Sequence, residues 1–113
     1  MIFYIYIIMI FVTFFKFSKV LGGHLVMFSK EVVVQNQVGL HARPATFFIQ
    51  KANEFKSIVW VQKDERKVNA KSLLGILSLG IVGGTTIRII ADGSDEQLAV
   101  EGLVKLVESG FAE

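Results

Sequence analysis

From residue 28 onward the spacing of apolar positions changes several times, and each change marks an element. The stretch 28–35 (FSKEVVVQ) is rich in β-branched residues and bounded by Asn36 and Gly39, which predicts a strand. Beyond His41 the spacing becomes three and four. Ala45, Phe48, Ile49, Ala52 and Phe55 fall on one side of a helix, Gln50, Lys51 and Glu54 on the other, and Pro44 lies in a first turn where its missing N–H costs nothing. Residues 57–63 (SIVWVQK) predict a second strand, and Asp64-Glu65 a tight turn into a short third strand over 66–69. The cluster Leu73, Leu74, Ile76 and Leu77 suits a short helix over 72–79 that stops near Gly80, with Gly83-Gly84 as a flexible connection. Alternation of Ile87 and Ile89 with Thr86 and Arg88 gives a fourth strand over 85–91.

The last helix has the plainest sequence boundaries. Ser94 with Gln97 three residues later reads as a capping box, Asp95 and Glu96 sit at the positive end of the helix dipole, and Gly110 supplies a stop. Its core stripe is Ala99, Val100, Leu103, Val104 and Val107, interrupted by Gly102, which costs about 1 kcal/mol relative to Ala unless close packing needs it. The order β-α-β-β-α-β-α predicts an α+β fold, an antiparallel sheet of four strands covered on one face by three helices.

The first 26 residues follow different rules. They open with MIFYIYIIMIFVTFF, 15 residues without a charge, which as a helix would reach roughly 22 Å against the about 30 Å of a hydrocarbon core. Lys16 and Lys19 come after the apolar run instead of before it, and no small-residue cleavage site follows, which disfavours a secretory signal. A short anchor with its C-terminal side in the cytoplasm is one reading. The reading ranked first is a misassigned start. Leu21-Gly22-Gly23 can be encoded by codons containing a ribosome-binding sequence a few codons before Met27, so the expected division is an extension over 1–26 and one domain over 27–113. His24 then belongs to the extension and is no ligand.

Splitting the chain also corrects its charge. The whole sequence carries +2, but without Lys16 and Lys19 ten basic residues face ten acidic ones, so nothing recommends a direct nucleic-acid partner. The sheet offers Trp60 and no aromatic platform on which bases could stack, which argues further against an RNA-binding module. Absence of Cys removes disulfides and thiolate sites, and with only His24 and His41 a histidine metal cage is not expected.

The chemistry concentrates in Gly39-Leu40-His41-Ala42-Arg43-Pro44-Ala45. A histidine at the start of a predicted helix, with an arginine two residues on, forms a natural anion site: backbone N–H groups and the dipole favour negative charge, and a guanidinium matches phosphate oxygens. Gly39 lets the backbone approach closely and Pro44 stiffens the first turn. A neutral imidazole at such a place is a competent nucleophile for a phosphoryl group. A plain N-cap histidine beside a solvated arginine has the same spacing, and spacing alone does not choose between them.

GLHARPA, together with KSLLGILSLGI at 71–81, resembles HPr, the histidine phosphocarrier family of the bacterial sugar phosphotransferase system, in its Gram-positive form. The likeness spans residues 27–113. It implies an open-faced sandwich of four antiparallel strands and three helices, a cytoplasmic protein acting as a monomer, and no cofactor or metal. It implies that His41 accepts phosphate on Nδ1 from enzyme I and passes it to the enzyme IIA domain of a permease, with Arg43 holding the phosphoryl group. The protein is then a transfer intermediate and not an enzyme. Ser72 matches the family's regulatory serine, the target of HPr kinase/phosphorylase, whose product binds a catabolite-control transcription factor.

The physical setting agrees with that implication, since phosphate on Ser72 would sit at a helix start and place about two negative charges beside the docking surface. Leu73, Leu74 and Leu77 cannot all face the sheet if Ile76 and Leu79 do, and Phe47 falls off the core stripe of its helix, so these four are the expected partner-docking patch. An HPr-like paralogue with a mainly regulatory role is the runner-up, weakened by the presence of His41. A non-catalytic α+β interaction domain is the alternative from another class.

Overall fold

The computed structural model describes residues 27–111; the expected extension over 1–26 lies outside them. The elements are β1 (Phe28–Val33), α1 (Ala42–Ala52), β2 (Ile58–Lys63), β3 (Arg66–Asn69), α2 (Leu73–Ser78), β4 (Thr86–Asp92) and α3 (Glu96–Glu108). All four strands form one antiparallel sheet in the order β1-β4-β2-β3. β4 is therefore central although it is made last. Its registers, Phe28↔Ala91 to Val33↔Thr86 on one side and Ile58↔Asp92 to Gln62↔Arg88 on the other, tie both halves of the chain together.

Period-two alternation decides which face is covered. Val32, Val59, Val61, Ile87, Ile89 and Ala91 are buried beneath the helices, and with Phe48, Ile76, Leu103 and Val107 they form one core. Burial of each such large side chain contributes roughly 1.5–3 kcal/mol. The opposite face, with Glu31, Trp60, Gln62 and Arg88, is uncovered and carries polar pairs. Arg88 bonds Glu31 at 2.6 Å, and Lys67 stands 4.7 Å over the Trp60 ring. This is the expected open-faced arrangement.

Boundaries move for identifiable reasons. Pairing of the first strand fades after Val34, which still exchanges bonds with Thr85 and Gly84, because Asn36 folds back onto Gly39. α1 stops at Ala52, so Phe55 reaches the core from a loop, where its carbonyl is held by Lys71 Nζ at 2.8 Å. Gly102 answers to packing: a Cβ there would stand 3.3 Å from Lys51 Cε and from the Phe55 ring.

The capping box expected at Ser94 and Gln97 does not form. The N-cap of α3 is Asp95, and Gln97 bonds Glu101 instead. Asp95 turns its carboxylate away from its own helix, accepting the backbone N–H groups of Lys56 at 2.8 Å and Ser57 at 2.9 Å, and the Ser57 hydroxyl. These donors, the Ser57 hydroxyl first, hold its pKa below the ordinary carboxylate value. The carboxylate staples the α1–β2 loop to α3, and Gly93 lets the chains approach, since a Cβ there would meet Ser57 Oγ at 2.5 Å.

Candidate functional site

His41 is the N-cap of α1. Its backbone is extended (φ −77°, ψ −177°), its carbonyl accepts the Ala45 N–H at 2.8 Å, and its imidazole makes no capping bond, so the ring is exposed and uncommitted to the helix. Arg43 and Pro44 occupy the first turn, which holds no acidic residue. The Arg43 guanidinium lies 5.8 Å from the Phe47 ring centroid, a contact that holds a flexible cation near the helix start.

The loop before His41 is set by crossing chains. Gly39 adopts φ +67°, and a Cβ there would fall 2.2 Å from the Ile81 carbonyl oxygen and 2.5 Å from Val82 Cα. Leu40 is buried and donates its N–H to that same carbonyl at 3.0 Å. On the other side, a Cβ on Gly83 would meet the Asn36 carbonyl at 2.6 Å. Two loops more than 40 residues apart in sequence thus lie backbone against backbone, and the glycines make the crossing possible. An open cavity of about 600 Å³ results, with Asn36, Val38, His41, Arg43, Phe47 and Phe111 in its lining.

Ser72 is the N-cap of α2, its Oγ accepting the Gly75 N–H at 3.1 Å. Leu73, Leu74 and Leu77 are 41%, 80% and 37% exposed while Ile76 and Leu79 are buried, which is the division expected from the sequence. Phe47 is half-buried under Arg43. The structure therefore brings His41, Arg43, Pro44, Gly39 and Phe47 together around the cavity and its supporting loop, with Ser72 and the leucines on the packed neighbour helix.

Some contributors have no signal in a local sequence window. Val38 and Val82, each 56% exposed, stand in the two crossing loops, and Val38 adds an apolar side chain to the cavity lining. Lys63 bonds the carbonyls of Leu79 and Gly80, and Arg66 that of Ser78, so the β2–β3 hairpin caps the C-terminal end of α2 with two cations. Charge adds a larger asymmetry. Among the described residues that line the cavity, Arg43 is the one with a permanent charge, and no Asp or Glu is present. Among the described residues no group of His, Asp and Glu could hold a metal ion, and no helix is long and apolar enough to cross a membrane.

Residues 28–109 match the family model described as the PTS HPr component phosphorylation site. The chain belongs to the HPr family. It is 49% identical over 82 residues to the HPr-like protein Crh of Halalkalibacterium halodurans, a match covering 73% of this chain and 98% of that one. To the phosphocarrier protein HPr of Neisseria meningitidis it is 40% identical over 87 residues, covering 77% and 98%. A crystal structure of HPr from Thermoanaerobacter tengcongensis superposes with a TM-score of 0.74 at 48% identity, covering 76% of this chain and 97% of that one. Members of the HPr family are phosphoryl carriers and not catalysts, and the open four-stranded sheet with three helices is the HPr fold.

Proposed function

We propose that this HPr-family protein accepts a phosphoryl group on His41 from phosphorylated enzyme I and delivers it to enzyme IIA domains of sugar permeases. One observation carries the reading: an exposed imidazole, free of capping duty, stands at a helix start beside Arg43, in a cavity whose described lining holds no carboxylate. The Nδ1 lone pair attacks phosphorus while the bond to the donor breaks, and the reverse follows on the acceptor. Such transfer needs in-line placement and charge neutralisation more than covalent assistance, so an open cavity completed by each partner is sufficient. The basic, apolar rim suits partners that present carboxylates around an apolar ridge.

Ser72 is the regulatory position in this reading. Phosphorylation by HPr kinase/phosphorylase would add negative charge at the start of α2, beside leucines that dock partners, and would create the surface read by a catabolite-control transcription factor. A mainly regulatory role is the second reading, favoured by the 49% identity to Crh. On the phosphocarrier reading the protein works in the cytoplasm as a monomer with no cofactor. The deciding experiment incubates wild type and His41→Ala with enzyme I and phosphoenolpyruvate. Acid-labile phosphate should form on the wild type alone, and its formation on a folded His41→Ala protein removes the assignment.

A further inference from the structure

Asn36 stands five residues before His41 and is tied into the same loop through both its backbone and its side chain. Its carbonyl accepts the Gly39 N–H at 3.1 Å, and its Nδ2 donates to the Gly39 carbonyl at 2.7 Å. The Gly83 backbone braces it from outside, as the 2.6 Å approach to a Cβ at that position indicates. Because the Gly39 carbonyl requires a donor, the amide is oriented with Nδ2 toward it and Oδ1 away. Oδ1 is sealed from solvent and has no hydrogen-bond partner among the described residues, yet Asn36 lines the cavity that His41 and Arg43 also line. Native proteins seldom keep a buried carbonyl oxygen without a donor unless it has a use.

His41 has a donor to offer. For Nδ1 to attack phosphorus it must carry its lone pair, which places the ring proton on Nε2. Since the ring makes no capping bond, it is free to turn between rotamers. We propose, resting on the phosphocarrier reading, that Asn36 is a positioning residue: its Oδ1 accepts the Nε2–H of His41 and holds the ring with the Nδ1 lone pair presented to the incoming phosphoryl group. During transfer that lone pair forms the new N–P bond, and the bond from phosphorus to the donor breaks with its electrons leaving on the donor. The Nε2 proton stays in place. The phosphorylated ring then carries positive charge, which the amide dipole favours, and Asn36 itself neither gains nor loses a proton. The clamp on Gly39 and the spare acceptor are two uses of one side chain.

The test reads the ring proton directly. Exposed imidazole N–H protons exchange with water too fast to be seen, so in ¹⁵N-labelled protein the wild type should show a His41 Nε2–H resonance and Asn36→Ala should lose it. A thermal melt establishes that the variant is folded. With enzyme I as donor, Asn36→Ala should lose about tenfold in kcat, the worth of one hydrogen bond, at unchanged KM, because the docking surface is untouched. If Asn36→Ala does not fold, Asn36→Ser, whose hydroxyl can still donate to the Gly39 carbonyl, replaces it with the same expected losses. A resonance retained in the folded variant, a resonance absent from the wild type, or an unchanged kcat overturns the proposal. The spectroscopic arm requires no phosphoryl transfer. A wild type with an Asn36-dependent resonance that takes no phosphate on His41 would remove the phosphocarrier reading and leave the contact standing.

Discussion

Replacing Gly39 by alanine tests how the loop before His41 is held, and Gly80→Ala supplies the control. Both glycines sit at left-handed φ, +67° and +59°, so each substitution incurs about 1–2 kcal/mol of backbone strain. Each also recovers about 0.4–1 kcal/mol by restricting the unfolded chain. They differ in surroundings. A Cβ on Gly80 meets nothing within 4 Å, whereas one on Gly39 meets the Ile81 carbonyl oxygen at 2.2 Å and Val82 Cα at 2.5 Å. Those are backbone atoms and cannot turn aside as a side-chain end could. Relief requires the loops to part, which breaks the Leu40 N–H to Ile81 bond, worth about 1 kcal/mol, and loosens the packing around Leu40. Gly80→Ala should therefore cost about 1 kcal/mol and Gly39→Ala about 2–4 kcal/mol, the latter lowering Tm by roughly 10–25 °C for a domain of this size. Urea titration of both variants gives the difference. Phosphoryl acceptance should fall in Gly39→Ala, because a displacement of about 1 Å at the reacting atom is enough to cost up to about a hundredfold. Equal stability of the two variants would refute the idea that the crossing loops set the position of His41.

Arg43→Ala should fold like the wild type and accept phosphate slowly from enzyme I, since it loses charge stabilisation and keeps the nucleophile; an unchanged initial rate would remove Arg43 from the site. Ser72→Asp should fold, because Asp also caps a helix start, and should take phosphate from enzyme I more slowly than Ser72→Ala; matched initial rates decide this, and equality counts against the electrostatic mechanism. Ser72→Ala should itself lose about 1 kcal/mol of stability with the Gly75 cap. Asp95 has a folded-state pKa below its unfolded value, so its contribution to stability is full above the ordinary carboxylate range and disappears as pH falls through the lowered value. Acid titration of stability should accordingly be flatter in Asp95→Asn than in the wild type, and superimposable curves would exclude the staple.

The first and last helices and the fourth strand announced themselves through their apolar period, because each buries one face, whereas the short strand over 66–69 was legible only from the turn before it. A short helix with Ile76 and Leu79 inside cannot also turn Leu73, Leu74 and Leu77 to the sheet, and the structure leaves these three partly exposed. His41 and Arg43 were readable because a motif is contiguous. Ser94 misled for a physical reason: the sequence offered a local cap, but its neighbour Asp95 found three donors on a loop 38 and 39 residues away, and those fixed the helix start. The same limit hid Val38, Val82 and Lys63. Each acquires its role only where separate stretches of chain cross, and no local window contains a crossing.

The interlocked loops also bear on when this molecule becomes competent during synthesis. A growing chain that has emerged through α2 already carries His41, Arg43, Ser72 and the exposed leucines. It lacks β4, the central strand to which both β1 and β2 bond, and without that strand nothing pins the segment at Ile81–Gly83 across the Gly39 turn. Such an intermediate is chemically complete and geometrically unformed. On the phosphocarrier reading proposed above, ability to take a phosphoryl group would then serve as a readout of finished topology.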